Sequence, residues 1–66
     1  MKRDKLIAYR WSRTQAEMAK KYDVTQQSWS LWEAGTTAPP VGVMKEIEVD
    51  SGVPMEDIFF DKFNKM

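Results

Sequence analysis

Two threonines, each placed to begin a helix, constrain this chain more than any other feature of its sequence. Thr14-Gln15-Ala16-Glu17 has the form of a capping box: the threonine hydroxyl takes one orphan backbone N–H, and the glutamate three residues on takes another. Met18, Ala19 and Tyr22 follow at helical spacing, as a buried stripe requires. Asp23 interrupts. Thr25 then offers a second N-cap, and Val24 ahead of it can staple onto Trp29. Trp29 and Trp32 lie three apart on one face, and Gly35 stands where a left-handed C-cap belongs. The spacing predicts two short helices, about 14–22 and 25–34, joined by only two or three residues. That is the connection length of a helix-turn-helix.

The flanks read as more helix. Asp4 to Trp11 is a short basic helix with Leu6 and Ile7 as its core residues, and Tyr9 or Trp11 completing the stripe. Thr36 to Pro40 is a loop, with Pro40 suited to a first helical turn. Val41, Met44 and Ile47 set the apolar stripe of a fourth helix, which Gly52 ends. Val53-Pro54 opens a last helix that turns Met55, Ile58 and Phe59 inward. The expected fold is all-α, a compact bundle of five short helices forming one domain over residues 1–66. A domain of this length buries only roughly 60% of the surface its unfolded chain exposes. A partner subunit would therefore help it.

Cysteine and histidine are both absent, which removes disulfides, the commonest zinc ligands and the usual general base. No EF-hand spacing offers a site for a hard cation, so neither metal nor cofactor is expected, and the inventory argues against an enzyme. The formal net charge is zero, but its distribution is not even. Residues 1–22 hold Lys2, Arg3, Lys5, Arg10, Arg13, Lys20 and Lys21 against Asp4 and Glu17, whereas eight acids face three lysines in residues 23–66. Such asymmetry points to nucleic-acid or membrane contact at the basic end, with uneven solvated charge as the alternative. No apolar run is long enough for a membrane span or a secretory signal, which places the chain in the cytoplasm as an expectation.

With these pieces in this order, the chain resembles the lambda-repressor and Cro-like helix-turn-helix regulators (the XRE family) over about residues 14 to 60. Thr-Gln-Ala-Glu-Met-Ala-Lys-Lys (14–21) is similar to the family's second helix. Val-Thr-Gln-Gln-Ser-Trp-Ser-Leu-Trp-Glu-Ala-Gly (24–35) is similar to its turn and recognition helix. Ala-Pro-Pro-Val (38–41) and Ser-Gly-Val-Pro-Met-Glu-Asp-Ile-Phe (51–59) are similar to its fourth and fifth helices. There are departures. The stretch before Thr14 is about two residues short and lacks the customary glycine. Asp23 replaces the turn glycine, and aspartate is one of the few residues that tolerate that conformation. Thr36 and Thr37 stand for the usual basic residues. Glu48 and Ser51 stand for apolar ones, and the family register turns Glu48 toward the core.

The resemblance implies a sequence-specific double-stranded DNA-binding transcriptional regulator, expected as a repressor, whose recognition helix (about 25–34) lies in the major groove. Gln26 and Gln27 then sit at the base edges, where glutamine can pair bidentately with adenine. The alternative is that they merely solvate a first turn. Ser30 and Leu31 share that face one turn later. Gln15, Arg13, Thr25, Thr36 and Thr37 are the expected phosphate contacts, with Arg10, Lys5 and Arg3 adding attraction. Zero net charge should keep non-specific binding weak. Arg10 and Glu33 are expected to pair, joining the first helix to the third. Trp29 and Trp32 could stack on bases, but their spacing favours the core.

Ile58, Phe59, Phe60 and Phe63, with Met66 three further on, are more apolar surface than so small a core can hide. Phe59, Phe60 and Phe63 are therefore expected at a homodimer interface, the alternative being that Phe59 and Phe63 close the monomer core. A protein-interaction module, such as an antitoxin whose apolar tail binds a partner, is the competing function.

Overall fold

The computed structural model describes residues 2–63; Met66 lies outside the described residues. The chain runs α1 (Asp4–Arg10), α2 (Gln15–Lys21), α3 (Gln26–Ala34), α4 (Val41–Ser51), α5 (Met55–Ile58) and α6 (Phe60–Phe63), with no strand among the described residues. Each boundary has a local cause. Thr14 accepts from the Glu17 amide at 3.0 Å while Glu17 reaches back to the Thr14 amide at 2.7 Å, completing the capping box. Thr25 Oγ1 accepts from the Ser28 amide and caps α3. Gly35 (φ 80°) and Gly52 (φ 75°) end α3 and α4 in the left-handed conformation, and Asp23 (φ 58°) takes it in the α2–α3 turn. Where five helices were expected there are six, because the backbone at Phe59 (φ −112°, ψ 42°) leaves the helical region and a further turn starts at Phe60.

The core draws on every helix from α1 to α5. Leu6, Met18, Ala19, Tyr22, Trp29, Trp32, Met44, Ile47, Ile58 and Phe59 form one buried cluster. Tyr22 stacks on Trp29 with ring centroids 5.6 Å apart, and Trp32 tilts against Trp29 at 5.7 Å. Pairs of this geometry are worth about 0.5–1.5 kcal/mol beyond the area they bury. Tyr9 completes the α1 stripe, whereas Trp11 stands outside it, 85% exposed. Tyr9, Tyr22 and Asp50 form a chain of hydrogen bonds, 2.7 Å between the two hydroxyls and 2.9 Å from Tyr22 to the carboxylate. Burial, and then the bonds to Tyr9 and Asp50, raise the Tyr22 hydroxyl above its ordinary range.

Two charged residues do not sit where the sequence suggested. Arg3, expected as a surface charge, is 1% exposed. Its guanidinium forks onto the Asp61 carboxylate through two 2.9 Å bonds, donates to the carbonyls of Trp32 (2.7 Å) and Thr37 (2.6 Å), and lies 5.2 Å from the Phe59 ring centroid. Glu48, expected to face the core, is half-buried instead. Pro54 gives α5 no side-chain cap, and Glu48 supplies one from α4 by accepting the Met55 amide at 3.0 Å. That bond, joined by Lys45 at 3.4 Å, holds the Glu48 carboxyl below its ordinary range.

Candidate nucleic-acid interface

Glu33 joins three helices and holds one of the expected DNA contacts, Gln15. It is 4% exposed, and four hydrogen bonds converge on its two oxygens. Arg10 forks onto it from α1, Nε to Oε2 at 2.6 Å and the terminal nitrogen to Oε1 at 3.2 Å. Gln15 Nε2 donates to Oε1 at 2.9 Å from α2, and Trp29 Nε1 donates to Oε2 at 2.6 Å from within α3. Burial alone pushes the Glu33 carboxyl up, but the bonds from Arg10, Gln15 and Trp29 outweigh it, so the group sits below the usual carboxylate range. The same pair raises the Arg10 guanidinium. Arg10 remains partly exposed, so its loss leaves the carboxylate still bonded to Gln15 and Trp29.

This hub sets the register of three helices. The expected Arg10–Glu33 pair is a two-pronged contact, and it includes two residues that sequence reasoning had given other work. Trp29 was expected in the core, with stacking on bases as the alternative. Gln15 was expected on phosphate. It spends one amide hydrogen on Glu33, and glutamine has a second to offer. Lys2, Ile7, Arg10, Gln15, Ser30, Glu33 and Ala34 line a polar cleft of about 310 Å³ beside the hub.

The remaining expected contacts differ in exposure and in the bonds they already make. Gln26 and Gln27 occupy the first turn of α3, and both are exposed. Ser30 and Leu31 follow them half-buried. Thr36 and Thr37 are exposed just past Gly35. Thr25 is exposed, but its hydroxyl already serves the cap and donates to Ser28 Oγ at 2.9 Å. Arg13 is exposed with its guanidinium anchored, donating to the carbonyls of Tyr9 (2.8 Å) and Arg10 (3.3 Å) and lying 5.2 Å from the Tyr9 ring centroid. Of the seven cations in the first third, Arg3 and Arg10 are internally neutralised and Lys21 pairs at the surface with Asp50 at 3.8 Å, which leaves Lys2, Lys5, Arg13 and Lys20.

The tail residues separate. Phe59 is fully buried in the monomer core, so in this conformation it has no surface for a second chain. Phe60 and Phe63 are 37% and 47% exposed. Among the described residues no cluster of three or more His, Cys, Asp or Glu is placed to hold a metal, and no helix is long and apolar enough to cross a membrane. Comparisons with protein-family models, with curated proteins and with solved structures find no match.

Proposed function

We propose that this protein is a sequence-specific double-stranded DNA-binding transcriptional regulator, a repressor of the lambda-repressor and Cro-like helix-turn-helix type, acting in the cytoplasm as a homodimer. In this reading α2 and α3 are the helix-turn-helix, and α3 enters the major groove with Gln26 and Gln27 at the base edges. One observation carries it: α3 presents two adjacent exposed glutamines in its first turn while Trp29, Trp32 and Glu33 anchor the helix in the core. A reading helix needs that combination, because base recognition demands side chains held on a rigid element. Arg13, Gln15, Thr36 and Thr37 then supply contacts to the sugar–phosphate backbone, which position the protein without reading sequence. Phe60 and Phe63 supply the dimer contact, setting two recognition helices about 34 Å apart, one turn of DNA.

Selection of bound sequences from a pool of random duplexes tests the function. Enrichment of a short palindromic or near-palindromic site is the expected outcome, and a pool that stays random after several rounds contradicts it. A second reading, a module that binds a protein partner through its tail, is favoured by the exposed Phe60 and Phe63. It predicts instead a chain that ignores duplex DNA at any salt concentration.

A further inference from the structure

Between α1 and α2 the chain makes a tight turn. Arg13 donates its amide to the Arg10 carbonyl at 3.0 Å, closing a four-residue β-turn over Trp11 and Ser12. Trp11, the second residue, has φ 51° and ψ −117°. That is the first central position of a type II′ turn, which glycine dominates because a Cβ is crowded there. Tryptophan is an expensive choice for such a site. In the core, burial of the indole would offset the strain, but Trp11 is 85% exposed, the most exposed large apolar residue among those described. The turn thus combines backbone strain with an unburied indole, and neither helps the free protein fold. Strain retained without a folding benefit points to function.

The surroundings indicate the partner. Arg10 precedes Trp11 and reaches the Glu33 hub, where it meets Gln15. Arg13 follows it, with its guanidinium held in place by the carbonyls of Tyr9 and Arg10. Trp11 is therefore two residues from an anchored cation, in the turn that leads into α2. An indole offers an apolar face and a single N–H donor with no acceptor. That chemistry fits the deoxyribose–phosphate backbone, in which apolar sugars alternate with anionic acceptors.

We infer that Trp11 is a DNA-backbone contact: its ring lies against deoxyribose at the flank of the site, and its N–H donates to a phosphate oxygen beside Arg13. The inference rests on the DNA reading and adds a sequence-independent anchor to it. It also requires stability and binding to change in opposite directions at this one position.

The test uses the full chain with a short random-sequence duplex at low salt and with the duplex enriched by selection. Trp29 and Trp32 are buried, so acrylamide quenching of tryptophan emission reports chiefly on Trp11. Saturating duplex should shield it. Trp11→Gly should melt a few degrees higher, because glycine relieves the positive φ. It should also bind both duplexes about tenfold more weakly, the loss expected for one hydrogen bond to a charged group. The slope of affinity against salt should not change, because indole is neutral. Trp11→Phe, which keeps the ring and loses the N–H, should fall between. Trp11→Gly binding as tightly as wild type, or an indole that stays fully quenchable under saturating duplex, overturns the inference. Loss of sequence preference in Gln27→Ala would then leave the DNA reading standing. Wild type that binds no duplex overturns both. Shielding that appears on raising protein concentration without DNA assigns Trp11 to a second copy and overturns the inference alone.

Discussion

Single side chains tie distant segments of this chain together. Arg3 ties the N-terminal segment to α6 through Asp61 and to the end of α3 through the Trp32 and Thr37 carbonyls. A guanidinium serves four acceptors in one plane where an ammonium offers only a point charge. Arg3→Lys is therefore expected to lower stability by about 2 kcal/mol, read from urea unfolding, even though the charge is kept. The Arg3 fork holds the Asp61 carboxyl below its usual range. A carboxylate depressed in the folded state adds stability that is complete above its unfolded pKa and is lost as pH falls through the folded value. Asp61→Asn should therefore melt lower than wild type at neutral pH, and the gap should narrow as pH drops through the acid range. A gap that stays constant across that range would mean the pair does not stabilise the fold. The Glu48 carboxyl is likewise held below its ordinary range. Because it accepts the Met55 amide rather than facing the core, Glu48→Ala should lower the melting temperature, and a rise would restore the core-facing assignment.

At the scale of elements, most of the fold was legible in short-range signals. Thr14, Thr25, Gly35 and Gly52 mark helix ends through backbone groups within a few residues of themselves, so one stretch of sequence carries the whole cause. The apolar stripes of α2, α3 and α4 were legible for the same reason. What escaped depends on partners far along the chain. Nothing near Arg3 announces an aspartate fifty-eight residues away, and an arginine at a chain start reads as solvated. Glu48 looked misplaced because its partner is an amide seven residues on, in a helix whose own start is a proline. Trp11 was weighed with Tyr9 as a stripe residue, since period alone cannot show that the chain leaves the helix one residue earlier. The candidate DNA surface divides along similar lines. Gln26 and Gln27 can be placed from the Thr25 cap alone, whereas the hub joining Gln15, Arg10 and Trp29 at Glu33 needs three helices in position.

The whole molecule separates a locked face from an open one. Burying Phe59 leaves Phe60 and Phe63 as the exposed apolar part of the tail among the described residues, beside the Asp61 anchor. If they join two chains, Phe60→Glu with Phe63→Glu should turn a dimer into a monomer in sedimentation while Asp61 still clamps Arg3. Wild type that sediments as a monomer at tens of micromolar, an ordinary strength for a specific interface, would exclude the dimer. The claim that matters most is that α3 reads bases. Losing a bidentate base contact removes about 1–3 kcal/mol that depends on which base is present, whereas losing a backbone contact weakens all duplexes alike. The direct measurement is the affinity of wild type, Gln26→Ala and Gln27→Ala for the selected duplex and a scrambled one over a range of salt concentrations. The expected result is a smaller gap between the two duplexes in both variants, with the salt slope unchanged because glutamine is neutral. Variants that keep the full wild-type preference would contradict a base-reading α3.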